Sequence, residues 1–110
     1  MEGDMMVKVF RSDLQSDSEL AYREWLRDNP EGFVVNALKR TSGRGNKSDE
    51  RFTRIHRASC KTINPLLSQY EKTGFTTGDY QKLCATSLDA VVTEAHVITG
   101  LTFFKRCPCI

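Results

Sequence analysis

Apolar residues run along this chain in short stretches that break at proline, glycine and polar clusters. Residues 6–10, MVKVF, are β-branched and aromatic with Val7 and Val9 on one side, which predicts a first strand. Leu20, Ala21 and Trp25 then follow at helical spacing, and Pro30 stops the pattern after Asn29, so a helix is expected over about 17–28. Ser16 with Glu19 three residues on has the form of a capping box for its start. Residues 32–38, GFVVNAL, are apolar on both faces, as in a central strand. A strand over 52–58, FTRIHRA, is expected to pair antiparallel with it as a hairpin.

The second half is less regular. Ile63, Leu66 and Leu67 suit a short helix starting near Pro65. Gly74 and Gly78 break the chain before a strand over 80–86, YQKLCAT. Thr86 or Ser87 can cap a second helix, which carries Leu88, Val91, Val92 and Ala95 as a core stripe and ends at Gly100. The tail LTFFKRCPCI adds a candidate edge strand. Together these elements predict one α+β domain over 1–110, a small, mainly antiparallel sheet with two main helices packed on one face.

Charge changes the picture in one place. Eight basic residues fall between Lys39 and Lys61 against only Asp49 and Glu50, a net +6 in a chain whose total is +2. The Gly/Ser/Lys/Arg composition of 39–50 reads as a mobile basic loop at the hairpin tip. Such asymmetry points to a polyanion. Lys39, Arg40, Arg44, Lys47, Arg51, Arg54 and Arg57, with His56 in addition, are the candidate phosphate contacts of a nucleic-acid-binding domain, for DNA or RNA. The alternative is a protein-interaction module, an inhibitor or adaptor whose basic loop meets an acidic surface, with Phe103, Phe104 and Ile110 in the contact. A small nuclease built on His56 and an arginine comes third. No P-loop, dinucleotide-binding glycine pattern, H-E-x-x-H or G-x-S-x-G is present, so the chain reads as non-catalytic.

The four cysteines bear on location and metal. No apolar run approaches the ~20 residues of a membrane helix, and the acidic start is unlike a secretory leader, so a cytoplasmic, reducing setting is expected. Thiols are then expected rather than disulfides. Zinc on Cys60, Cys84, Cys107 and Cys109 is kept open, but C-x-C is a poorer match to a zinc knuckle than C-x₂-C, and the reading without a cofactor stands first. His56 and Cys60 could share a metal only on a helix; four residues of strand span about 13 Å.

GFVVN at 32–36, IHRASC at 55–60, YQKLCATS at 80–87 and the terminal CPC resemble an uncharacterised group of small bacterial domains associated with restriction and other defence loci. Trp25, Asn29-Pro30 and Gly32 belong to the same pattern, which covers most of residues 20–109. The resemblance implies a role in bacterial or phage defence, alone or beside a nuclease domain. A fainter similarity to the GIY-YIG hairpin rests on Gly32-Phe33-Val34 and Arg54-Ile55-His56; its tyrosines are absent, and no nuclease activity follows from it.

Overall fold

A computed structural model describes residues 7–40, 50–67 and 73–109. Its strands are β1 (Lys8–Phe10), β2 (Phe33–Leu38), β3 (Arg54–Arg57), β4 (Tyr80–Ala85) and β5 (Lys105–Arg106). Its helices are α1 (Ser18–Asp28) and α2 (Leu88–Thr99), and short 3₁₀ turns occupy Glu50–Phe52 and Pro65–Leu67. The strands form one sheet in the order β1-β4-β2-β3-β5. Every pairing is antiparallel except β3 with β5, which is parallel. The α+β class and the mainly antiparallel sheet are therefore as the sequence pattern indicates.

The helices divide between the two faces of the sheet, and the expectation of a shared face is corrected on this point. Val34 and Cys84 join Tyr22, Trp25 and Leu26 of α1, whereas Val35, Ala37, Leu83 and Ala85 join Ala90, Val91 and Ala95 of α2. The cause lies in β2 and β4, which are apolar on both sides and need cover on both. Gly32 lets α1 approach β2, since a Cβ there would come within 2.6 Å of the Trp25 ring.

The ends of α2 follow the pattern: the Ser87 side chain accepts from the Ala90 N–H, and Gly100 closes the helix in the left-handed region at φ 73°. The capping box does not form. Asp17 is the N-cap without a side-chain cap bond, and Glu19 reaches across to the amides of Phe75 and Thr76 instead.

Lys82 is an unusual resident of the α1 face. It is only 3% exposed, donates to the Phe75 carbonyl and lies beside the Phe75 and Tyr80 rings. Burial outweighs the nearby Cys84 and Glu19 and holds its pKa down to about 8 from 10.5. Between these values the unfolded chain binds the extra proton, so this group makes folding more favourable as pH rises from about 8 to about 10.5. At about 1.4 kcal/mol per tenfold change in proton affinity, the gain is about 3 kcal/mol. Urea unfolding of the wild type and Lys82→Met at about pH 7.5 and about pH 10 should show a stability difference that shifts by about 2 kcal/mol, most of that gain, in favour of the wild type. A difference independent of pH counts against the buried-ammonium description.

Candidate metal centre and basic sheet edge

β3 stops at Arg57. The Cys60 amide then bonds back to the Arg57 carbonyl, and the amides of Ile63 and Asn64 both bond to the Cys60 carbonyl. The buried Asn64 side chain fastens this turn by donating to the Ala58 carbonyl at 2.7 Å and accepting from the Leu66 amide at 2.8 Å. Cys60 is thereby folded back toward His56. The turn thus brings together two residues that a straight strand through position 58 would hold about 13 Å apart, which corrects the expectation that they cannot share a metal.

The tail supplies the other half of the group. β5 pairs with β3, and the Cys107 amide donates to the Ile55 carbonyl at 2.9 Å. A turn at Pro108 and Cys109 brings the second thiol back against β3. There the Arg57 amide points at the Cys109 sulfur (3.4 Å), and the Arg57 Nε donates to the Cys109 carbonyl. One ligand atom from each of His56, Cys60, Cys107 and Cys109 lies within 4.8 Å of all the others, so the group could hold a metal ion. The Cys60 and Cys107 sulfurs are 3.7 Å apart and all four cysteines are free. A tetrahedron with metal–sulfur bonds of about 2.3 Å has sulfur–sulfur edges of about 3.8 Å.

Two further properties suit ligation. His56 is 3% exposed, and its Nδ1 has no hydrogen-bond partner among the described residues. A buried polar atom left this way is costly unless something not yet in place satisfies it. Burial, then the charges of Lys82 and Arg54, lower the His56 pKa to about 4, so the imidazole is neutral at physiological pH and able to bind a metal. Burial opposes ionisation of Cys60, but hydrogen bonds that its sulfur accepts from Thr62, Cys109 and Cys107 outweigh it and lower its pKa. Burial, with the neighbouring thiols, pushes Cys109 up to about 11 against the pull of the Arg57 amide. Cys60 and Cys109 thus hold their protons unequally, as coupled neighbours do.

Cys84 is not part of this group, which corrects the all-cysteine set. On β4 it faces Val34, and Val34 in turn faces His56. Two strand spacings, about 10 Å, separate it from the histidine. It is fully buried in the α1-side core, and that burial raises its pKa well above the ordinary thiol value.

Among the described residues, the predicted phosphate contacts do not converge as a set. Arg44 and Lys47 lie outside the described residues. Lys39 donates to Ser12 and, with Arg11 and Arg40, lines a cavity of about 500 Å³ near the ends of β2 and β4. Arg51 lies over the Phe52 ring. His56 faces inward and is closed to a phosphate. Arg54 and Arg57 are exposed on β3, and β5 sets Lys105 beside Arg54 and Arg106 beside Ile55, both exposed. Lys105 and Arg106 were absent from the sequence-derived set. Their signal was the Lys-Arg pair directly before the CPC motif, in the segment already expected to form an edge strand.

No protein-family model, curated protein or solved structure matches this chain. Among the described residues, no helix is long and apolar enough to cross a membrane.

Proposed function

We propose that this chain is a non-catalytic nucleic-acid-binding domain whose binding edge is held together by a structural zinc ion on His56, Cys60, Cys107 and Cys109. The observation that carries the reading is the meeting of four exposed cations, Arg54, Arg57, Lys105 and Arg106, on two paired strands that end in this ligand group. Among the described residues, the ion pairs are Arg11 with Asp13 and Arg27 with Asp28, so none of the four is neutralised by a carboxylate there. Three sulfurs and one imidazole are a donor set typical of structural zinc, with no ligand position left for water. The Arg57 amide and guanidinium, both bonded to Cys109, would tie that ligand to a phosphate contact. His56, which a nuclease would need, is buried among the ligands. Free thiols suit a reducing compartment such as the cytoplasm, and the similarity to domains of defence loci makes a foreign nucleic acid a fitting partner.

Two measurements test this. Metal analysis of the purified protein should find one zinc per chain, kept in Cys84→Ser and lost in Cys107→Ser. Anisotropy of a labelled oligonucleotide should give an affinity that falls with salt, with a log–log slope of about −3.6 for four neutralised phosphates. No binding at low ionic strength removes the nucleic-acid reading. Nuclease-resistant capture of a protein would then move the assignment to an adaptor using the exposed Phe103.

A further inference from the structure

The four cations are divided between the two sides of the sheet edge, and this division selects among nucleic acids. Cross-strand partners share a face and successive strand residues alternate. Arg54 and its partner Lys105 therefore project on the His56 side, while Arg57 and Arg106, in phase with Ile55, project on the other. The main helix contacts lie away from the outer rim of this edge: α1 packs on β1 and the Pro65–Leu67 turn and α2 on β2 and β4, while Phe104, just before β5, meets His96 of α2 and leaves Lys105 and Arg106 exposed. Arg57 is already oriented, with its Nε on the Cys109 carbonyl and its guanidinium near the Phe33 ring, and among the described residues its terminal nitrogens remain for a ligand.

A single strand lying along one face could reach only two of these cations at a time. A ridge carrying cations on both sides suits a groove flanked by two phosphate backbones. Stacked sheets pack about 10 Å apart, which measures the room one strand layer takes up between its neighbours. The B-form major groove is about 12 Å wide and admits a two-stranded ribbon, whereas the minor groove is about 6 Å wide. The major groove of an A-form RNA helix is deep and narrow, closed to such a ridge. We propose that the β3–β5 edge enters the major groove of a B-form DNA duplex, with Arg54 and Lys105 on the phosphates of one strand and Arg57 and Arg106 on those of the other.

This rests on the nucleic-acid reading above and narrows it to one form of the polymer. The test compares the metal-loaded protein on three labelled ligands of one sequence: a DNA duplex, an RNA duplex and the single DNA strand. The expected result is binding to the DNA duplex at least ~10-fold tighter than to either of the others, since half the phosphate contacts are lost on them. Arg54→Ala with Lys105→Ala, and separately Arg57→Ala with Arg106→Ala, should each lower the salt slope on duplex DNA by about 1.8, two phosphates' worth. Arg57→Lys with Arg106→Lys keeps the charge if the alanine pair disturbs Cys109, and should hold the slope near the wild-type value. Equal or tighter binding to the single strand or the RNA duplex overturns the groove assignment while leaving the nucleic-acid reading standing. A slope that responds to one face only also overturns it. Failure of all three ligands to bind at low salt removes the broader reading itself.

Discussion

Removing zinc from the loaded protein with a strong chelator will cost it the native packing of its α1-side core, and the loss will be visible in Trp25 emission. Structural zinc contributes about 10–16 kcal/mol of binding free energy at neutral pH, while a domain of this size is stable by about 5–15 kcal/mol. The positions of the proposed ligands explain why little stability should remain without it. His56 sits within β3, Cys60 in the turn after it, and Cys107 and Cys109 follow β5, so the ion would close a loop of about fifty residues. β5 is two residues long and has only two register partners on β3, too little to hold an edge by itself. Cys60 belongs to the same core cluster as Trp25 and Tyr22, with Cys107 and Cys109 packed against it. Release of the tail therefore opens the cluster in which the indole is buried. The measurement is thermal unfolding followed by tryptophan emission and near-ultraviolet circular dichroism, before and after chelation and again after zinc is restored. A melting temperature that stays within a few degrees on chelation would show that the four side chains meet without a metal holding the fold. Cys84→Ser separates the two kinds of cysteine. It should keep its zinc yet lose about 1–3 kcal/mol, because a hydroxyl replaces a thiol in a fully buried site.

What could be read from the sequence depended on how far apart the interacting residues lie. The apolar pattern of Phe33–Leu38, the stripe on α2 and its ends at Ser87 and Gly100 rest on contacts a few residues apart, and all appear in the structure. The doubly apolar β2 also held the information that both faces need cover. Glu19 was misread because its competing partners, Phe75 and Thr76, are 56 and 57 residues away. Three of the four metal-ligand candidates were among those named from sequence, but His56 was set aside and Cys84 put in its place. The error came from running β3 past Arg57. The segment Ala58-Ser59-Cys60 has no glycine or proline to mark a turn, and the residue that fastens it, Asn64, lies downstream. Nor does any local pattern say that the tail lies beside β3, which is what brings Cys107 and Cys109 to the histidine and sets Lys105 and Arg106 beside the arginines.

Glu19→Ala should be among the most destabilising single changes outside the ligand group. One carboxylate oxygen accepts from the Thr76 amide at 2.8 Å and the Thr76 hydroxyl at 2.9 Å, and the other accepts from the Phe75 amide at 3.0 Å. The same two residues are held from other sides: Ser18 bonds to the Thr76 hydroxyl, the Ser12 amide donates to the Thr76 carbonyl, and Lys82 donates to the Phe75 carbonyl. This short stretch thus joins α1, the end of β1 and β4. Thr76 is fully buried, so its amide loses its partner when the carboxylate is removed, while its hydroxyl keeps Ser18. Hydrogen bonds to a charged group contribute about 1.5–3 kcal/mol each, and unsatisfied buried donors cost about as much. Three bonds that share one acceptor group are not additive, so a total loss of about 3 kcal/mol is expected. For a domain near this size that corresponds to a fall of roughly 15 °C in melting temperature. Glu19→Gln should lie between the two, since its single carbonyl oxygen can keep Thr76 while its amide nitrogen meets the Phe75 N–H as one donor facing another. Zinc content should stay unchanged in both, because Glu19 is not among the ligand candidates. A loss below about 1 kcal/mol in Glu19→Ala would mean that residues 75 and 76 are held by Lys82, Ser12 and Ser18 without it, and that the capping role the sequence suggested was given up for little.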